Sequence, residues 1–306
     1  MLERLCAIPL AAALDGAGER TIEANPGTVD ADKLGALRRL GFDRLSIGAQ
    51  SFDDAELGAL GRAHTAADIG EAVRLARRAG FANLGLDLIF GLPGQRPEGF
   101  FRSLDAAIAL APEHVSLYGL TYEPGTPLAE ERKIKGSDPF ISEEPEREMY
   151  LGAVERLAAA GLAQYEIANF ARPGRESRHN LNYWSGGEYL GLGAGAFSFA
   201  DGERRGNVGD VEAYCARVEA GRDPTATRER LDPEKRAREA LMLGLRMRAG
   251  VELDEFRRRT GFGAEELFGE TLPAHVAAGR AEIASGRLRL TLEGLLVADS
   301  IMAEFI

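Results

Sequence analysis

The chain has 306 residues, 45% hydrophobic and 28% charged, enough for one large globular domain and a smaller one. A formal net charge of −11 excludes nucleic acid as the main partner, because phosphate recognition needs a basic surface. The two cysteines, Cys6 and Cys215, form neither a disulfide framework nor a metal-ligand spacing, which fits a reducing cytoplasm.

Met1 to Leu14 carries a short apolar run, but Glu3 offsets Arg4 and Pro9 interrupts it. It reads as the end of a helix in the protein body, not as a signal peptide. No other segment approaches the ~20 apolar residues of a membrane span. Thr21 to Ala24 predicts a strand ending in the turn Asn25-Pro26-Gly27. A helix follows from Asp30, with Leu34, Leu37 and Leu40 on one face and Gly41 as its stop. Arg44 to Ile47 predicts the next strand, running into Gly48-Ala49-Gln50-Ser51. Asp53 with Glu56 suggests a capping box for a short helix, and Thr65 opens a longer one closed by Gly80.

The stretch Asn83 to Gln95, NLGLDLIFGLPGQ, is the most informative. Leu84, Leu86, Leu88 and Phe90 share one strand face, and Gly85, Asp87 and Ile89 the other. A mid-strand carboxylate is costly to bury unless something polar meets it, so Asp87 is a ligand candidate, with loop capping as the alternative. A helix from Pro97 and a strand from His114 to Leu120 follow. Four strand–helix alternations imply parallel strands, in an open sheet or a barrel.

Beyond Tyr122 the pattern loosens. The charged run from Glu130 to Glu148 leads into a helix ending at Gly161, and Tyr165 to Ala168 reads as a strand. Ala171 to Phe199, dense in Gly, Asn and aromatics, reads as an ordered loop. From Pro233 three amphipathic helices, the last spanning Leu272 to Gly286, precede a short strand-and-helix end: a winged-helix-like module. The domain expectation is therefore 1–205, a linker 206–231, and 232–306.

Glu23, Gln50, Arg62 and Asp87 lie at or near the C-terminal ends of predicted strands, or just beyond them, and these ends converge on one crevice in βα folds. Together they suit a zwitterionic ligand with a ribose, Arg62 taking a carboxylate and the acids taking an ammonium and hydroxyls. Gly191-Leu192-Gly193-Ala194-Gly195-Ala196 matches a dinucleotide pattern formally but lacks the strand–helix context, so its glycines are read as close backbone approaches. His179-Asn180-Leu181-Asn182-Tyr183-Trp184 places a histidine beside aromatics, able to ligate haem iron or to bond within an ordered loop. His64 and His114 have no comparable setting, and His275 reads as a surface residue. Arg257-Arg258-Arg259 reads as a solvated helix face rather than a DNA-binding one.

EANPGT (23–28), SIGAQSF (46–52), LGRAH (60–64), LDLIFGLPGQ (86–95) and HNLNYW (179–184) together resemble the radical S-adenosylmethionine family. Within it, the resemblance is to HemW-type haem chaperones, relatives of oxygen-independent coproporphyrinogen III oxidase. It covers almost the whole chain and implies a partial (β/α) barrel with a small C-terminal domain. Carried over by position, Glu23, Gln50, Arg62 and Asp87 look like S-adenosylmethionine contacts, with Thr121 and Phe197 lining the adenosyl pocket. HNLNYW resembles the haem-linked segment of the chaperone branch, which implies His179, Asn180, Tyr183 and Trp184 as haem contacts, and a haem-accepting protein as partner.

One departure is large. The family's CxxxCxxC loop for a 4Fe–4S cluster and its Gly-Gly-x-Thr-Pro turn have no counterpart here. The expectation is a chain lacking its first two barrel strands, with an exposed sheet edge and no cluster, and so catalytically inactive. A porphyrinogen-decarboxylating enzyme and a cluster-free haem-binding module are the alternatives.

Overall fold

The computed structural model describes residues 18–126, 129–130 and 143–305. Met1 to Leu14 and most of the charged run after Glu130 lie outside them. The chain divides into two compact units, the first ending at Glu176 and the second starting at Ser177. This division falls inside the stretch expected as an ordered loop, so HNLNYW belongs to the second unit.

Unit 1 contains the strands β1 (Thr21–Ala24), β2 (Arg44–Gln50), β3 (Asn83–Phe90), β4 (His114–Gly119), β5 (Ala163–Glu166) and β6 (Asn169–Ala171). They form one sheet in the order β1-β2-β3-β4-β6-β5. The first four are parallel, whereas β6 and β5 pair antiparallel. Among the described residues the sheet does not close on itself, as the expected partial barrel requires. A single strand was expected at Tyr165–Ala168; the chain instead turns there, because the Glu166 carboxylate accepts the Ala168 N–H at 3.0 Å and closes a hairpin.

Helices α1 (Ala31–Arg39), α2 (Asp54–Ala59), α3 (Ala66–Arg78), α4 (Pro97–Ala109) and α5 (Glu143–Ala159) connect the strands. Asp30 caps α1, and Thr65 with Asp68 completes a capping box on α3. The box expected on α2 is half-made. Asp53 caps it, but Glu56 turns away to accept from Ser51 and, at 3.0 Å, from Gln95. Alternate strand positions build the core: Leu45, Ile47, Leu84, Leu86, Leu88, Val115 and Leu117 pack with Leu34, Ile69, Val73, Phe100, Leu104 and Leu157 of the helices. The other strand face is left for polar side chains.

Unit 2 begins with α6 (Arg178–Trp184), capped by Ser177. Strands β7 (Phe197–Ala200), β8 (Glu203–Asn207) and β9 (Thr225–Glu229) form an antiparallel sheet, with α7 (Val211–Glu219) between the last two. The span 206–231, expected as a linker, is therefore largely regular. Thr225–Glu229 shows no apolar alternation and is mostly exposed, which hid the strand.

Then come α8 (Pro233–Leu245), β10 (Val251–Glu252), α9 (Leu253–Thr260), α10 (Ala264–Phe268), α11 (Thr271–Ala277), β11 (Ala281–Ala284), β12 (Arg287–Leu290), α12 (Leu292–Leu296) and α13 (Ala298–Ala303). The helix expected from Leu272 to Gly286 stops at Ala277, and Ala281–Ala284 instead pairs with β12 in the sheet β10-β12-β11. Helices followed by this small sheet keep the winged-helix-like outline.

Candidate functional site

Strand alternation gathers a polar cluster on the unit 1 face away from the helices. Strand β2 contributes Arg44, Ser46, Gly48 and Gln50; β3 contributes Gly85 and Asp87; β4 contributes His114, Ser116 and Tyr118. Register aligns them: Ser46 pairs with Gly85, Gly48 with Asp87, and Asp87 with Ser116. The Asp87 carboxylate accepts from the Ser46 hydroxyl at 3.1 and 3.3 Å. Burial pushes its pKa up, opposed by hydrogen bonds from Ser116 and Ser46; the Glu23 charge adds to the rise and Arg44 opposes it.

Gly85 leaves room beneath Asp87. A Cβ there would stand 2.9 Å from Ser46 Oγ, 3.4 Å from Arg44 Nη2 and 3.6 Å from His114 Nδ1. His114 is 0% exposed and its Nε2 meets the Tyr165 hydroxyl at 2.8 Å. Burial, with the Arg44 charge beside it, pushes the imidazole down to about 3. Arg44 is itself 5% exposed, and its Nε has no hydrogen-bond partner among the described residues.

At the C-terminal ends of the strands Gln50 adopts φ 66°, a left-handed conformation rare for a residue with a side chain, at a register shift in β2. It is 9% exposed. A Cβ on Gly48 would stand 2.9 Å from Gln50 Nε2 and 3.1 Å from Asn25 Oδ1, so glycine lets the two amides converge. Arg62 donates to that same Asn25 oxygen at 3.2 Å. Strain of this kind concentrates at ligand sites.

The structure thus brings Glu23, Gln50, Arg62 and Asp87 together at one end of the sheet. Thr121 lies just past β4 and is exposed, and Phe197 lies in unit 2, 53% exposed at the start of β7. Sequence reasoning overlooked Arg44, Ser46 and Ser116 beside Asp87, and Asn25 beside Arg62. The signal was present in RLSIGAQ, whose every second residue is polar or glycine.

In unit 2, HNLNYW is a helix, not the irregular loop expected of this stretch. The Ser177 hydroxyl accepts the Asn180 N–H and starts it. His179 is exposed, one turn from Tyr183, with ring centroids 4.7 Å apart. Tyr183 in turn meets Tyr189 at 4.3 Å, and burial raises the Tyr183 pKa, with Tyr189 adding to it. Asn180 is half-buried. Trp184 stacks under the Arg246 guanidinium at 4.4 Å, and its buried Nε1 has no hydrogen-bond partner among the described residues.

Other motifs resolve differently. His275, expected on the surface, is 5% exposed, because the chain just past α13 packs on it: its Nε2 meets Glu304 at 3.1 Å and its ring stands edge-on to Phe305. The run 191–196 opens no helix. A Cβ on Gly191 would stand 2.0 Å from the Phe197 carbonyl oxygen, so this glycine serves close backbone passage, whereas Gly193 and Gly195 have no such neighbour and instead adopt φ of 109° and 70°. Arg257 and Arg258 pair with Glu266 and Glu255 on an exposed helix face. Among the described residues no three His, Cys, Asp or Glu side chains could share a metal ion, and no helix is long and apolar enough to cross a membrane.

Residues 1–107 match the family model of the radical SAM superfamily, and residues 231–297 that of the HemN C-terminal domain. Over 288 residues the chain is 37% identical to the heme chaperone HemW of Bacillus subtilis (strain 168), covering 94% of this chain and 76% of that protein. It is 33% identical over 291 residues to the heme chaperone HemW of Lactococcus lactis subsp. lactis (strain IL1403), covering 94% and 75%. The structure of coproporphyrinogen III oxidase (HemN) from Escherichia coli, a radical SAM enzyme, is similar with a TM-score of 0.80 at 24% identity, over 94% of this chain and 69% of that one. That likeness shows a shared fold. With the sequence kinship running through both units, this chain belongs to the HemW family of haem chaperones within the radical SAM superfamily.

Proposed function

We propose that this chain binds haem on α6 and delivers it to a haem-accepting protein. The observation that carries the reading is α6 itself: an exposed His179 backed by the Tyr183 ring at 4.7 Å, with a Trp184 indole N–H at the helix end that has no hydrogen-bond partner among the described residues. An imidazole facing solvent can ligate haem iron axially while flanking rings pack on the macrocycle. Exposure also suits a carrier, whose cargo must leave again. The name of the relatives, heme chaperone, supports the same cargo.

Unit 1 supports a second ligand, S-adenosylmethionine. Arg62 would take its carboxylate, Asp87 and Glu23 its ammonium and hydroxyls, and Gln50 would add an amide, with Thr121 against the adenosine. The Gly48 cradle and the strained Gln50 backbone fit such a ligand. A 4Fe–4S cluster does not fit the residues present. Three thiolates must converge on one cubane, and the 306 residues carry Cys6 and Cys215, the latter exposed on α7. No electron-transfer step is assigned to this chain.

Titrating the protein with haemin and recording the Soret band tests the haem reading. The wild type shifts the band and His179→Ala loses most of the shift. A wild-type spectrum identical to free haemin would overturn the reading.

A further inference from the structure

We infer that the cavity beside α6 receives the carboxylate edge of a tetrapyrrole, with Arg236 and Arg259 as its two anion-binding groups. The inference rests on the haem reading and assigns it a second, polar half. The cavity lies wholly within unit 2 and has a volume of ≈ 580 Å³, in the range of small-molecule sites. Tyr183, Tyr189, Phe199 and Leu243 give it apolar walls. The rings are continuous with α6: His179 to Tyr183 at 4.7 Å, Tyr183 to Tyr189 at 4.3 Å, Tyr189 to Phe199 at 6.3 Å. A flat ligand held at His179 therefore has an aromatic path into the cavity.

Three arginines line it, and they are not equivalent. Arg204 is taken by Glu229 at 2.8 Å and Glu239 at 2.6 Å. Arg259 donates to the Ser185 carbonyl at 3.2 Å and has no acidic partner among the described residues. The Arg236 guanidinium has neither a hydrogen bond nor an ion pair among them, and its Nη1 lies over Gly202, where a Cβ would stand 3.0 Å away. Surface arginines without acids are common. What separates these two is that α8 and α9 bring both to one aromatic-walled cavity, in a chain whose acids outnumber its basic residues 48 to 37.

Each guanidinium can take one carboxylate through paired charge-assisted bonds. A tetrapyrrole with two carboxylates on one edge matches both the pair of cations and the apolar walls. The site would thus select a dicarboxylate porphyrin over its ester.

The test compares haemin with haemin dimethyl ester, by Soret titration, on the wild type, on Arg236→Gln/Arg259→Gln, and on His179→Ala. The wild type is expected to bind haemin at least about tenfold more tightly than the ester. The double variant should lose that preference while keeping the wild-type band position, because the axial ligand is untouched. His179→Ala should move the bound band back toward that of free haemin and keep the preference in the change that remains. Equal wild-type affinity for haemin and ester would overturn the inference while leaving haem binding intact, and so would a double variant that binds haemin as tightly as the wild type. No spectral change with either ligand would overturn the haem reading, and this inference with it.

Discussion

Replacing His114 by glutamine should flatten the response of unit 1 to mild acid. In the folded protein the buried imidazole, beside Arg44, takes a proton only near pH 3, against 6.5 for the ordinary side chain. Between those values the unfolded chain binds the extra proton, so stability is fully present above pH 6.5 and falls as the pH drops. The slope is roughly 1.4 kcal/mol per pH unit. From pH 6.5 to about pH 5 the wild type should lose about 2 kcal/mol through this group, and over the whole window at most about 5 kcal/mol. Glutamine keeps an amide within reach of Tyr165 but cannot take the proton. Urea unfolding of both proteins across this range, with hydrogen exchange of β3 and β4 amides as the local readout, measures the difference. Parallel stability curves for wild type and His114→Gln would refute the reasoning.

The carboxylate above it should behave oppositely. Burial raises the folded pKa of Asp87, so the fold loses stability as the pH rises from 3.8 through that raised value. Asp87→Asn should therefore melt higher than the wild type at neutral pH and equally in acid, while binding S-adenosylmethionine more weakly; identical melting at every pH would sink this. Gly48→Ala puts a methyl 2.9 Å from Gln50 Nε2 and 3.1 Å from Asn25 Oδ1, and should cost about 1–3 kcal/mol in urea unfolding together with S-adenosylmethionine affinity by calorimetry. Unchanged affinity would separate the cradle from the ligand. Gly191→Ala meets a backbone oxygen at 2.0 Å, so the Tyr189–Phe199 bridge must open; Tyr189 and Phe199 amides that exchange as slowly as in wild type would contradict it.

The sequence by itself determined the alternation of unit 1. Leu84, Leu86 and Leu88 against Gly85, Asp87 and Ile89 fixed which strand face carries polar groups, because side-chain direction repeats every two residues. It also determined the caps at Asp30 and Thr65, which act over three residues. That Glu23, Gln50 and Asp87 lie in or at the end of strands, with Arg62 beyond one, was legible because those strands are.

Only the tertiary structure decided what depends on neighbours distant in sequence. The buried state of His275 is set by Glu304 and Phe305 just past α13, and the Arg44 and His114 atoms without partners among the described residues by β2, β3 and β4 side by side. Residues 171–199 read as loop because glycines and aromatics mask a seven-residue helix started by one serine. The cavity shared by Arg236 and Arg259 exists only where α8 and α9 meet the sheet of β7 and β8. Local pattern specifies direction and period; which charges end up facing one another is fixed by packing, since burial and Coulomb interaction depend on distance in space and not along the chain.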